Sequence, residues 1–140
     1  MTRSAQAALS TLAATALRLV VGAVFMIHGW QKYREGVPAT VKWLETVAVP
    51  YPTLAAPVLI GVELLGGALL VLGLATRFVS LLLLADMVAA FFLVHREAGF
   101  FAADGGYELV LLLAVVLAGF ALTGAGRAGV DRFIGRRRGF

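Results

Sequence analysis

Four long apolar stretches alternate with short polar segments along the chain. They cover residues 9–30, 54–75, 78–94 and 107–123. A helix needs about 20 predominantly apolar residues to cross the hydrocarbon core of a bilayer, and the last two stretches are near the lower limit. The pattern predicts an all-α integral membrane protein, folded as a four-helix bundle in one domain over residues 1–140.

A shorter amphipathic segment follows the first apolar stretch. Val37, Val41 and Leu44 recur at helical spacing, and Pro38 suits the first turn of a helix. We predict a short interfacial helix at residues 38–47, lying on the outer membrane surface within the first external loop.

Basic side chains flank the apolar stretches unequally. With four spans, both chain ends lie on one side, and seven Lys and Arg residues fall on that side against four on the other. Because cytoplasmic loops carry the excess of Lys and Arg, both termini are predicted in the cytoplasm. Residues 127–140 then form a basic cytoplasmic tail.

Composition narrows the functional classes. Hydrophobic residues make up 61% of the chain and the mean hydropathy is +0.93, above the roughly 45–50% apolar content of soluble domains. The net charge of +4 does not indicate nucleic-acid binding, because the few basic residues lie mostly at the ends of apolar runs. The chain has no cysteine, which excludes disulfides and dithiol redox chemistry. Its two histidines do not form a metal-binding pattern.

Three charged side chains interrupt the apolar stretches. Arg18 lies in the first, Glu63 in the second and Asp86 in the third. A charge at the bilayer centre costs from about 2.5 to about 10 kcal/mol or more, so these residues are expected to meet inside the bundle. Arg18 and Glu63 lie at depths that agree within one helical turn when counted from the predicted outer ends. We predict a central Arg18–Glu63 pair with Asp86 beside it, and one of the two acids protonated.

A second polar layer is predicted nearer the outside, where His28 ends the first stretch and Tyr107 and Glu108 begin the fourth. Both layers together give six candidates for ligand binding or a proton relay: Arg18, Glu63, Asp86, His28, Glu108 and Tyr107. All but Tyr107 have a structural alternative. The central pair can simply fix helix register, and Asp86 can be a protonated acid hydrogen-bonded to a neighbouring helix. His28 can be a structural interfacial histidine, and Glu108 can simply favour the positive end of its helix.

Glycines share the charged faces of the first two stretches. Gly22 and Gly29 follow Arg18 at helical spacing, and Gly66 or Gly67 follows Glu63. Because small residues let membrane helices approach closely, the charged faces are expected to be the packed faces.

Several short motifs occur in order: Arg18-Leu19-Val20-Val21-Gly22, His28-Gly29-Trp30-Gln31-Lys32, Val49-Pro50-Tyr51-Pro52, Glu63-Leu64-Leu65-Gly66-Gly67, Leu72-Gly73-Leu74-Ala75-Thr76-Arg77 and Gly105-Gly106-Tyr107-Glu108-Leu109. With them the chain resembles the DoxX-like family of small four-helix membrane proteins. The resemblance implies a multi-pass protein of the bacterial plasma membrane. Some relatives are the small membrane subunit of a thiosulfate:quinone oxidoreductase, and others are linked to a redox complex with a superoxide dismutase and a sulfurtransferase. The intramembrane positions of the family match Arg18, Glu63 and Glu108.

Three functions fit these residues. The first is a subunit or anchor of a membrane redox or oxidative-stress assembly, and, if an enzyme, the membrane subunit of a quinone-linked oxidoreductase. A quinone or other lipid-soluble ligand would then bind at Arg18, with Glu63 or Asp86 exchanging a proton. The second is a transporter or permease for a small solute or a proton. The third is a structural interaction protein without chemistry of its own.

The predicted partners are the lipid bilayer and redox proteins, with no nucleic acid. A homo-oligomer stays open, because small residues on the third helix, such as Ala85 and Ala89, fit dimerisation and packing within one bundle equally well.

Overall fold

The computed structural model describes residues 2–137, with side chains up to residue 134. Within that range the chain is all-helical. Six helices are named here in chain order: α1 Arg3–Glu35, α2 Val37–Thr46, α3 Pro52–Leu72, α4 Thr76–Ala98, α5 Glu108–Thr123 and α6 Asp131–Arg137. Of the predicted basic tail at residues 127–140, residues 138–140 lie outside the described part of the chain.

Three helices between residues 2 and 137, α1, α3 and α4, are long and apolar enough to cross a membrane. α5 is also apolar but has only 16 residues. Large apolar side chains cover the outward surfaces: Leu65 is 68% exposed, Phe78 64% and Leu122 80%. Because soluble monomers rarely expose apolar patches above a few hundred Å², such surfaces fit contact with lipid. The predicted all-α class, with helices able to span a membrane, is confirmed.

The apolar core lies where α1, α3, α4 and α5 meet. Each of these helices contributes one of the largest fully buried side chains: Phe25, Leu70, Leu83 and Leu117. α5 packs along α4, and α1 packs along α3. The core therefore joins two helix pairs through aliphatic and aromatic side chains.

α1 approaches α3 closely because glycines face the contact. A Cβ atom added to Gly22 would lie 2.8 Å from the carbonyl oxygen of Gly67, and one added to Gly29 would lie 2.7 Å from the backbone nitrogen of Leu64. Distances this short leave no room for a side chain at either glycine. The predicted small-residue faces are therefore confirmed as packed faces.

Gly67→Ala is expected to push α1 away from α3. The new methyl group would lie 2.7 Å from the carbonyl oxygen of Gly22 and 2.8 Å from the backbone nitrogen of Met26. Overpacking of this kind costs about 1–3 kcal/mol of unfolding free energy, which unfolding by SDS titration in mixed micelles can measure.

The matched control for Gly67→Ala is Gly61→Ala on the same helix, where nothing lies within 4 Å of the added Cβ. Its unfolding midpoint should stay unchanged or rise, because alanine forms helices better than glycine. Equal losses in the two variants would contradict the close α1–α3 contact.

Candidate functional site

The predicted Arg18–Glu63 pair is wrong, because Glu63 pairs with Lys32. The Nζ atom of Lys32 lies 2.8 Å from Oε2 and 2.9 Å from Oε1 of Glu63. Glu63 lies beside Gly29 of α1, and Arg18 is about 16 Å further along that helix at 1.5 Å per residue. Arg18 lies further from the outer end of α1 than predicted, because α1 does not end with its apolar stretch but continues to Glu35.

Arg18 instead binds backbone carbonyl groups at the end of α3. Its Nη1 donates to the carbonyl oxygens of Val71 at 2.7 Å and Leu70 at 2.9 Å, and its Nη2 donates to that of Ala128 at 3.4 Å. The residue is only 2% exposed. Because the last carbonyls of a helix lack intrahelical partners, the buried guanidinium caps α3 and joins it to the chain after α5.

The chain after α5 folds back on the α3–α4 turn, and we name residues 124–131 the docked segment. The amide of Val130 donates to the carbonyl oxygen of Leu72 at 3.3 Å, and that of Asp131 donates to Gly73 at 3.0 Å. The carboxylate of Asp131 accepts from the amides of Ala75 at 2.6 Å and Thr76 at 2.9 Å. The docked segment thus satisfies both the end of α3 and the start of α4.

A cavity of about 770 Å³ lies at the other end of the helices, around the Lys32–Glu63 pair. Its polar lining includes His28, Lys32, Glu63 and Asp86. Most of the remaining lining is apolar and comes from five helices, for example Phe25, Trp43, Leu59, Met87 and Leu113. Ligand pockets typically have volumes of about 300–1,000 Å³, with apolar walls and a few convergent polar groups. The cavity therefore suits an amphiphilic molecule with a small polar head.

The ion pair in the cavity wall is well shielded from solvent, but not every hydrogen-bond donor of Lys32 is used. The side chains of Lys32 and Glu63 are 20% and 6% exposed. An ammonium group has three N–H donors, and Glu63 accepts from Lys32 with both carboxylate oxygens. One donor of Lys32 therefore remains for a ligand.

Asp86 is half-buried in the same cavity. Its Oδ2 is buried and has no hydrogen-bond partner among the described residues. Leaving a buried polar atom unpaired costs about 1–3 kcal/mol, so Asp86 is a group that a bound molecule can satisfy.

Two local widenings of the helices bring residues to this cavity. α3 contains a π-helical turn at Val62–Gly66, which carries Glu63, and α4 contains one at Phe91–His95. His95 also lines the cavity, and its Nδ1 lies 2.6 Å from the carbonyl oxygen of Gly105. Since π-turns occur frequently at functional sites, their presence at one cavity supports a binding role.

The other predicted site residues divide between the cavity and its surroundings. His28 lines the cavity, whereas Arg18, Tyr107 and Glu108 do not belong to its lining. The Tyr107 ring packs edge-on against Phe91 at 5.1 Å and Phe100 at 5.7 Å between centroids. Phe91, Phe100 and Tyr107 therefore form an aromatic cluster beside the cavity, where the end of α4 lies near the start of α5.

Lys32 is the main site residue that is not among the six candidates from the sequence, because it lies beyond the first apolar stretch. A signal was present in the spacing. Arg18, Gly22, Phe25, Gly29 and Lys32 follow one another at alternating intervals of four and three residues, so they share one helix face if the helix continues past residue 30.

Fold and cavity together define a helical membrane protein with an ion-paired, largely apolar cavity. Within the described residues, no group of three acidic or histidine side chains is placed to hold a metal ion. The DoxX family model matches residues 13–96, and the chain belongs to the DoxX family. The resemblance found in the sequence motifs is thereby confirmed, and the matched range contains Lys32, Glu63 and Asp86.

Curated relatives cover most of the chain. "Putative oxidoreductase CatD" of Bacillus subtilis (strain 168) is 32% identical over 125 residues, which are 88% of this chain and 89% of the relative. "Uncharacterized membrane protein Rv3486" of Mycobacterium tuberculosis is 32% identical over 133 residues, covering 86% and 80%. An "Uncharacterized protein" of Haemophilus influenzae is 34% identical over 118 residues, covering 82% and 85%. No solved structure matches the chain.

Proposed function

We propose that the protein is a membrane subunit of a redox or oxidative-stress assembly and that its cavity binds a quinone or a similar lipid-soluble ligand. The observation that carries the proposal is the apolar cavity of about 770 Å³ with the Lys32–Glu63 pair and Asp86 in its wall. The name of the Bacillus subtilis relative, "Putative oxidoreductase CatD", supports a redox role.

The polar groups take separate roles in this proposal. The free N–H of Lys32 donates to a carbonyl oxygen of the quinone, while Glu63 holds the ammonium in place. Reduction of the quinone to the hydroquinone takes up two electrons and two protons. A partner redox protein supplies the electrons, and Asp86, with His28 nearer solvent, passes protons to the quinone oxygens. Arg18 has no part in ligand binding in this proposal, because it lies outside the cavity lining and its guanidinium donates to backbone carbonyl oxygens at the other end of α3.

The proposal includes the arrangement of the chain in the plasma membrane. α5 forms the fourth span of a four-helix bundle, α2 lies on the outer surface, and both termini are cytoplasmic. Two observations support it: α5 packs along α4 in an apolar core, and α2 buries Thr40 and Leu44 while Trp43 stays 41% exposed.

Quinone binding can be tested with Trp43, which lines the cavity. The chain has two tryptophans, so Trp30→Phe leaves Trp43 as the single tryptophan, whose emission can be excited apart from that of the tyrosines. In detergent micelles, a short-chain ubiquinone or menaquinone should quench its emission saturably. Asp86→Ala should weaken the affinity about threefold to tenfold, the equivalent of one lost hydrogen bond.

The control for Asp86→Ala is Asp104→Ala, because Asp104 is exposed and lies outside the cavity lining. It should leave the quinone affinity unchanged. Quenching that only grows with the amount of quinone dissolved in the micelle, or equal affinities in the two variants, would contradict a quinone site in the cavity.

A further inference from the structure

A second cavity, of about 530 Å³, lies at the opposite end of the molecule, where the docked segment meets the start of α4. Its walls come from the first turn of α4 with Arg77 and Phe78, from residues 123–126, and from Asp131 and Arg132. α3 ends at Leu72 and α4 begins at Thr76. The cavity therefore lies just beyond the ends of two apolar spans, at the level where spanning helices meet lipid headgroups.

The charge of this second cavity is positive. Arg77 and Arg132 are exposed, and neither forms an ion pair with an acidic residue in the described range. Asp131 is the acidic member of the lining, but both of its carboxylate oxygens already accept hydrogen bonds from the amides of Ala75 and Thr76. Two guanidinium groups are thus left without a carboxylate partner.

The two arginines are positioned by the local backbone. The Arg77 side chain passes over Gly124, where an added Cβ would lie 3.4 Å from its Nε and where φ is +76°. Arg132 donates from Nη1 to the carbonyl oxygen of Arg127 at 3.3 Å. A guanidinium has five N–H donors in a planar fork that matches phosphate oxygens, so donors remain on both side chains.

Apolar surface adjoins these charges. Phe78, in the cavity wall, is 64% exposed, and Leu122, one residue before the wall, is 80% exposed. A soluble phosphate cannot make apolar contacts with such a surface, whereas the acyl chains of a lipid cover it. Basic pockets between membrane helices at the cytoplasmic side are suited to anionic headgroups.

We propose that this second cavity binds the phosphate of an anionic phospholipid. Arg77 and Arg132 hold the phosphate oxygens, and the acyl chains lie along Phe78 and Leu122. Because Arg132 follows the docked segment directly, a bound lipid stabilises the contact of that segment with the α3–α4 turn. Lipid binding at this end does not involve the Lys32–Glu63 cavity.

Binding can be measured with the purified full-length chain, stripped of lipid and placed in nanodiscs of phosphatidylcholine with or without phosphatidylglycerol. Native mass spectrometry of the released protein should show phosphatidylglycerol retained on the order of tenfold more than phosphatidylcholine. The double variant Arg77→Gln/Arg132→Gln should remove this preference, because a neutral amide cannot replace a charge-assisted contact.

The matched control is Arg3→Gln/Arg34→Gln, which lowers the net charge equally at exposed positions outside the second cavity. It should keep the preference for phosphatidylglycerol. Equal loss of preference in both double variants would overturn the proposal, since overall charge would then suffice. A photoreactive phosphatidylglycerol on the unmodified chain gives a second readout that needs no variant. Labelling should map to peptides around Arg77 and residues 122–132, and labelling confined to other peptides would overturn the proposal.

Free phosphate is distinguished by a separate titration. Inorganic phosphate and glycerol phosphate should raise the thermal unfolding temperature of the delipidated chain much less than phosphatidylglycerol does at equal concentration. Equal shifts would overturn the assignment to a lipid.

Discussion

Arg18→Leu is expected to unfold the protein at a markedly lower SDS fraction than the unmodified chain. Leucine leaves the carbonyl oxygen of Val71 without its donor and breaks the bonds to Leu70 and Ala128. A buried polar group without a partner costs about 1–3 kcal/mol, so a loss of about 3 kcal/mol or more is expected. Far-ultraviolet circular dichroism during SDS titration in mixed micelles measures this loss.

Two further variants separate the capping role of Arg18 from its charge. Arg34→Leu, at an exposed position of the same helix, should leave the unfolding midpoint nearly unchanged. Arg18→Lys should restore part of the stability, because an ammonium is a point charge and lacks the planar fork that reaches several carbonyls. An Arg18→Leu protein that folds normally but no longer binds quinone would instead place Arg18 in the ligand site.

The contribution of Arg18 to stability depends on where α3 ends. Gly73 has a φ of +69°, which stops the helix and leaves its last carbonyl groups without intrahelical donors. In an apolar environment such groups need partners from elsewhere in the protein. The guanidinium and the docked segment provide them, so one buried cation replaces several missing backbone donors.

The sequence was sufficient to predict the helical class and the glycine contact, because both depend on local patterns. Apolar runs of spanning length identify helices, and Gly22 and Gly29 recur at helical spacing on the face that packs against α3. Helical spacing can be recognised without knowing which residues meet across the bundle. These two features can therefore be predicted from one sequence.

The partners of the charged residues could not be predicted in the same way. Ala128 is 110 positions from Arg18 in the sequence, and it reaches Arg18 only because the docked segment folds back. Lys32 lies beyond the apolar stretch, but helical side chains lean toward the N-terminus of their helix and a lysine stem packs on apolar surface. Its ammonium therefore lies deeper in the bundle than its backbone position indicates.

The second polar layer could also be predicted only in part. Tyr107 and Glu108 lie at the start of α5, as the sequence predicts for the fourth stretch, but the direction of a side chain depends on its neighbours. Tyr107 turns toward Phe91 and Phe100 because edge-on aromatic contacts are favourable there. Its ring consequently adds to the aromatic cluster and leaves the cavity lining to other residues.

Removing either charge of the Lys32–Glu63 pair alone is expected to destabilise the protein more than removing both. Lys32→Met or Glu63→Gln should each cost about 3–5 kcal/mol of unfolding free energy, because the remaining group loses its partner in a shielded site. The double variant should recover most of that loss. SDS titration of the four proteins gives the coupling between the two residues. The control makes the same substitutions at Lys42 and Glu45, which are exposed on α2 and form no ion pair with each other.

The double variant also decides whether the pair acts only in folding. A Lys32→Met/Glu63→Gln protein that is as stable as the unmodified chain lacks the cation that donates to a quinone carbonyl in the proposed site. Its affinity, read from Trp43 quenching, should fall by at least about tenfold, the cost of one hydrogen bond from a charged donor. Full affinity in a stable double variant would assign the pair to helix register alone, and the polar head of any ligand would then have to bind at Asp86.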